Sequence, residues 1–214
     1  AVQLKAADDF LPQSKWIGSE HCQSTPNTWL CFRKTVHLPS VPGEMIANIA
    51  VDSKYWLWIN GKMVVFEGGL KRGPAPGATY YDQVDIAPYL EKGENTIALL
   101  VWHFGKNGFS HVNSGTAALL FCAQGANLSI VSDKSWQCSV YRAYQNTEAP
   151  FPNYRLSESN IRFDARKELA GWNMPDFSGK LGASIEIVAP NEMPFGKLVA
   201  RPIPMWKNGG LTDY

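Results

Sequence analysis

The sequence predicts an all-β protein, a jelly-roll β-sandwich with a C-terminal wrapping segment and few short helical turns. Turn signals recur every ~8–12 residues between about ten short apolar runs, the spacing of a sandwich. The stretch VDSKYWLWINGKMVV, Val51 to Val65, sets Asn60-Gly61 between alternating apolar residues. That dipeptide is the strongest short-range hairpin signal, because a type I′ turn needs positive φ at both central positions. No stretch sustains a 3.6-residue apolar period, so no long helix is expected.

The elements follow in order. Trp29 to Leu38 alternates and stops at Pro39, and Met45 to Val51 forms the next strand before the hairpin. Gly68 to Gly77, GGLKRGPAPG, reads as a loop. Asp85 to Leu90 suits one helical turn capped by Asp85. Lys92 to Asn95 turns the chain into Thr96 to Phe104, an apolar run expected to be buried on both faces. Ala117 to Cys122 and Leu128 to Val131 pair across Gln124 to Asn127, and Trp136 to Val140 follows. Tyr141 to Asn160 is irregular, with Pro150 and Pro152. Asp164 to Leu169 suits a short helix capped by Asp164 and stopped near Gly171. Ile185 to Val188 and Leu198 to Arg201 are the last strands expected.

The 214 residues suit one module over 1–205, with its core at about 28–140, a wrapping segment at about 141–205 and a frayed tail or linker at 206–214. Net charge is +1 and no basic cluster exceeds a pair such as Lys71-Arg72, which argues against nucleic acid as a partner. No apolar run reaches the ~18 residues of a membrane span. Aromatics make up 12%, with eight Trp, enough for a large core or for flat faces on which sugar rings pack. Cys22, Cys31, Cys122 and Cys138 form no Cys-x-x-Cys pair and no histidine clusters beside them, so a zinc site is not expected. A disulfide and buried free thiols both stay open.

Chemistry-bearing motifs are missing from the sequence. It holds no phosphate-binding Gly-x-x-x-x-Gly-Lys loop, no Gly-x-Ser-x-Gly elbow, no His-Glu-x-x-His and no Gly-x-Gly-x-x-Gly after a strand. A glycosidase needs two carboxylates flanking the scissile bond, and the sequence singles out no such pair. Glu67, Asp82, Asp85, Glu91 and Glu94 stand in or near turns, where solvated carboxylates are the default. No catalytic residue is assigned, and no cofactor motif is present.

Several segments, in this order, resemble the N-terminal non-catalytic region of bacterial α-L-rhamnosidases, glycoside hydrolase family 78. Trp16-Ile17-Gly18 with WLCFRKT, Trp29 to Thr35, is similar to that region's opening. VDSKYWLWINGKMV resembles its hairpin, and Tyr80 to Ile86 with Tyr89-Leu90 and Gly93-Glu94-Asn95 resembles the segment that follows. Ser132-Asp133-Lys134-Ser135-Trp136 is similar to its Asp-x-Ser-Trp turn. Phe163-Asp164-Ala165-Arg166-Lys167-Glu168 with Gly171-Trp172 resembles its most specific block, and Arg201 to Met205 its exit to the next domain. The resemblance spans roughly residues 16 to 205.

It implies a galactose-binding-domain-like jelly roll that hydrolyses nothing by itself. Inverting catalysis belongs, in that family, to a later (α/α)6 barrel, so the implied partners are the catalytic domain of the same polypeptide and rhamnose-containing glycans. The alternative is a purely structural domain packed on that barrel. The chain opens AVQLK without an initiator Met or a signal segment, which reads as a mature or cloned start, and the resemblance implies a secreted or periplasmic bacterial protein. Some modules of this type bind L-rhamnose through a calcium ion on an Asp-Asn pair. Here the matching positions are Asp52 and Ser53, so Asp52 is the calcium candidate and Ser53 lacks the amide oxygen. Asp52 as a turn cap is the competing reading.

Trp56 and Trp58 share one strand face, opposite Tyr55, Leu57 and Ile59, which are expected in the core. Three covers remain open for the tryptophans: residues 141–200, the catalytic part, or a sugar. His111 and Asn113, in the loop GFSHVNSG, are further sugar-binding candidates on a rim, with plain turn chemistry as the alternative. Trp102 is expected in the core and His103 as a hydrogen-bonded structural residue. Trp172 is expected to anchor the wrapping segment, and Arg166 to hold it through a carboxylate.

Overall fold

The computed structural model describes residues 9–22, 24–70, 73–108, 111–147, 160–207 and 209. Its strands are β1 (Ile17–Gly18), β2 (Thr28–Leu38), β3 (Ile46–Asp52), β4 (Lys54–Ile59), β5 (Lys62–Gly69), β6 (Ala78–Asp85), β7 (Gly93–His103), β8 (Ala118–Gln124), β9 (Ser129–Val131), β10 (Gln137–Val140), β11 (Tyr144–Asn146), β12 (Ile161–Phe163), β13 (Gly182–Ala183), β14 (Ile185–Glu186) and β15 (Lys197–Ala200). One sheet runs β14-β1-β8-β3-β6-β15 with β9 on β8; the other runs β13-β10-β2-β7-β4-β5. β11 and β12 form a small separate pair. The fold is all-β, as the turn spacing predicts.

The two sheets bury one core between them. Leu30, Phe32, Tyr55, Leu57, Ile59, Ile97, Leu99 and Val101 meet Ala47, Ile49, Val51, Leu119, Phe121 and Ala123 from the facing sheet. Each large apolar side chain so buried is worth ~1.5–3 kcal/mol. β7 is buried from Asn95 to His103 because it lies between β2 and β4, and its outer face is covered as well. Pairing with β2 is in register over its whole length, from Thr28↔His103 to Leu38↔Gly93.

The hairpin forms where expected. Asn60 and Gly61 have φ of 51° and 77°, the positive pair of a type I′ turn. The Asn60 side chain donates to Asn95 Oδ1 (2.9 Å) and Tyr89 O (3.2 Å) and accepts from Thr96 N (2.9 Å). Asn95 in turn donates to Glu91 O at 2.7 Å. The hairpin and the Gly-Glu-Asn turn are therefore one hydrogen-bonded corner.

Differences from the sequence reading have local causes. β6 was not anticipated as a strand, because Asp82, Gln83 and Asp85 interrupt its apolar pattern; β3 and β15 pair on its two edges. Gly68 and Gly69 end a strand instead of opening a loop. A Cβ on Gly68 would stand 2.3 Å from the Tyr55 ring, so only glycine fits under that ring. The expected helical turns are single 3-10 turns. At Ala87–Tyr89 the cap position is Ile86, and Asp85 accepts from the Ala87 N–H (3.1 Å) and, across the sheet, from the Met45 N–H (3.2 Å). Asp164 does cap Ala165–Lys167, accepting from Arg166 N. All four cysteines are buried free thiols. Lys71-Arg72, Pro150, Pro152 and most of the 206–214 tail lie outside the described residues.

Candidate functional site

The candidate residues separate into two places. Trp56 and Trp58 lie on the outer face of β4, while Tyr55, Leu57 and Ile59 alternate inward at full burial. The outer face is not bare. Trp29, Trp102, Tyr141, Ala143 and Trp172 form a second apolar layer against which both tryptophans pack half-buried. Trp29 stacks on Trp102 (centroids 4.4 Å), Tyr144 (4.1 Å) and Trp56 (5.6 Å), and Trp172 meets Trp58 edge-on at 5.8 Å. The chain's own C-terminal third thus covers this face in large part.

The cover is held by a residue the sequence reading passed over. Buried Arg33 donates to the carbonyls of Trp172 (3.3 Å), Met174 (3.0 Å) and Pro175 (3.3 Å), and its guanidinium stands 5.8 Å from the Phe177 ring centre. Its pKa is lowered by burial, which nearby Asp176 opposes. Arg166, expected in that role, pairs with Asp164 two residues away and is 89% exposed. A short local fork of this kind ties nothing to the sandwich. The signal for Arg33 was present in the WLCFRKT motif: an arginine inside an apolar strand needs acceptors from another segment.

Asp52 and Ser53 build the second place, at the β3–β4 junction, and His111 and Ser114 come in from the 111–117 loop. Asp52 is fully buried. Its Oδ1 accepts from Ser53 Oγ at 2.6 Å and its Oδ2 from Ser114 N at 2.7 Å. His103 Nδ1 and His111 Nε2 stand 3.6 and 3.5 Å from Oδ1, and His111 Nε2 lies 3.3 Å from Ser53 Oγ. Burial alone raises the Asp52 pKa; the two histidines, with Ser114, outweigh it and hold the carboxyl well below the usual range. His111 is 1% exposed and points into this node, not onto a rim. Asn113 spends its side-chain oxygen on the Gly115 N–H at 3.0 Å, the turn chemistry weighed against a ligand role.

The node does not suit calcium. A hard cation needs six to eight oxygen ligands, whereas the Asp52 carboxylate is surrounded by hydroxyl, amide and imidazole groups that donate to it or face it. Among the described residues no cluster of three His, Cys, Asp or Glu is arranged to hold a metal ion. The arrangement is that of a buried carboxylate which pins the 111–117 loop to the strand ends.

Two of the larger grooves on the described surface are relevant to ligands. One, of about 600 Å³, lies between residues 39–44 and 124–128, with Glu44 its single charged residue. The other, of about 490 Å³, runs along the side of the sandwich past Ser19, Ser139, Arg142, Leu169 and Lys180. Among the described residues no helix is long and apolar enough to cross a membrane.

No family model matches the chain, and no curated protein does. Solved structures do. A family 78 rhamnosidase of Bacillus sp. GL1 superposes with a TM-score of 0.81 at 28% identity, over 90% of this chain and 20% of that one. An α-L-rhamnosidase of Streptomyces avermitilis, solved with L-rhamnose, gives 0.62 at 21% identity over 92% of this chain and 16% of that one. A lectin of Pleurotus ostreatus, solved with GalNAc, gives 0.54 at 18% identity over 94% of this chain and 53% of the lectin. The last two speak for the fold. The chain spans about a fifth of the length of the Bacillus enzyme. Across 90% of its length, this chain is similar to a single domain of a family 78 α-L-rhamnosidase.

Proposed function

We propose that the chain is a non-catalytic, carbohydrate-binding accessory module of an α-L-rhamnosidase that acts on rhamnose-containing glycans. The observation that carries this reading is the likeness to the Bacillus rhamnosidase, 28% identity across 90% of this chain and only 20% of the enzyme. A lectin of the same fold supports a binding role rather than a catalytic one. Under this reading hydrolysis, with inversion, belongs to a catalytic domain of the same polypeptide, which is secreted or periplasmic and degrades polysaccharide. Asp52, Ser53 and His111 then support the binding loops from within, and binding needs no calcium.

A second reading, a structural domain packed on the catalytic part, is favoured by the self-covered tryptophan face. It is favoured too by the exposure of Ile203 (63%) and Trp206 (72%) beyond the last strand. Calorimetric titration with L-rhamnose and rhamnose-containing oligosaccharides, with calcium and with chelator, separates the two. Binding with a Kd of about 1 mM or tighter, equal in both conditions, is the expected result. No heat at about 10 mM sugar rejects the binding module and leaves the structural domain.

A further inference from the structure

We propose that the side groove binds the carboxylate of an acidic sugar, a uronic acid residue within the glycan; the inference rests on the carbohydrate-binding reading and names its ligand class. The groove lies where the chain passes from one sheet to the other. β13 is the edge of the second sheet and β14 the edge of the first, and Gly182, Ala183 and Ile185 from this crossing line one wall. Cys138, Ser139 and Val140 of β10 lie beneath, Ser19 to His21 line a further side, and Lys167 and Leu169 of the wrapping segment close it. Its volume of about 490 Å³ is within the range of small-ligand pockets.

Its charge sets it apart from the chain as a whole. Arg142, Lys167 and Lys180 line it against Glu20 alone, a local balance of +2 where the whole 214-residue chain carries +1. The neighbouring acids have partners of their own, and Asp164 also feels the charge of Lys167. Asp164 holds Arg166, Glu168 accepts from the Tyr141 hydroxyl at 3.4 Å, and Glu186 accepts from Lys134 N at 3.1 Å. None of the three cations has an ion pair with any described residue. A carboxylate there gains a charge-assisted fork from arginine. Val140, Leu169 and Ile185 offer apolar surface for the C–H face of a sugar ring. The Ser139 oxygen already accepts from Gly182 N at 2.8 Å, which leaves its O–H to donate to a ring hydroxyl.

The test titrates the whole chain with digalacturonate, its methyl ester, L-rhamnose and inorganic phosphate, at ~20 and ~200 mM salt. Digalacturonate is expected to bind, the ester about tenfold more weakly, and the affinity to fall with salt. Arg142→Ala and the double charge reversal Lys167→Glu with Lys180→Glu, both at exposed positions, are expected to weaken it about tenfold or more without moving Tm. The proposal is overturned if digalacturonate gives no signal, if its ester binds as well, or if the variants bind normally. Phosphate of equal affinity on the same residues also overturns it, as a generic anion patch. Binding of L-rhamnose without digalacturonate rejects the groove and keeps the carbohydrate module; silence towards every sugar rejects both.

Discussion

At the scale of single residues, Asp52 shows why a sequence match can keep a residue and change its task. The carboxylate stands where the resemblance puts a calcium ligand, yet its neighbours are Ser53, His103, His111 and Ser114, which donate to it or face it. Its folded pKa lies below the unfolded value of ~3.9. The charge therefore stabilises the fold above about pH 4, and that contribution is lost as pH falls below it toward the folded value. Asp52→Asn is expected to cost about 3 kcal/mol at pH 7, because it breaks a buried charged cluster, and to flatten the acid limb of the stability curve. Urea melts at pH 7 and pH 3 read both effects; a variant as stable as the parent at pH 7 excludes a stabilising node. Sequence alone named Asp52 and His111 but did not pair them, since 59 positions separate them and the meeting depends on how the loop folds back.

At the scale of elements, the short-range signals translated directly into structure. Asn60-Gly61 became the hairpin, and the long apolar run from Thr96 became the central β7. Both rest on local backbone preference and pattern, which neighbouring residues carry. β6 escaped because Asp82 and Gln83 break its pattern, and the reason Asp82 is tolerated lies far away: Tyr55 Oη (2.9 Å), Gly69 N (2.9 Å) and Arg201 Nε (2.5 Å) all donate to it. The wrapping segment shows the same division. Its Gly171-Trp172 anchor was legible, while the clamp through Arg33 spans 139 positions to Trp172. Arg33→Met is expected to lose about 2–3 kcal/mol and to speed hydrogen exchange at residues 172–177 about tenfold or more. Arg166→Ala, on an exposed local pair, is expected to change stability by less than about 0.5 kcal/mol. Equal losses in the two variants would contradict the assignment of the clamp to Arg33.

At the scale of the whole molecule, the last strand ties the C-terminal segment back to the sandwich. β15 pairs parallel with β6 from Lys197↔Ala78 to Ala200↔Tyr81, and Arg201 follows it onto Asp82 in a largely buried ion pair. Arg201→Met leaves the Asp82 charge uncompensated and is expected to cost about 3–5 kcal/mol. Thermal melts are expected to show a Tm lower by roughly 6–20 °C, with most of the loss recovered when Asp82→Asn is added. A single variant that melts with the parent would show the strap to be dispensable. The all-β class, the hairpin, the inward Tyr55-Leu57-Ile59 face and the likeness to a rhamnosidase domain were all readable from the chain, because each is written in residues close together. What covers Trp56 and Trp58, what Asp52 touches, which arginine holds the wrapping segment and where a cationic groove forms are contacts between distant residues. Only the packing of two sheets and one returning segment brings those residues together.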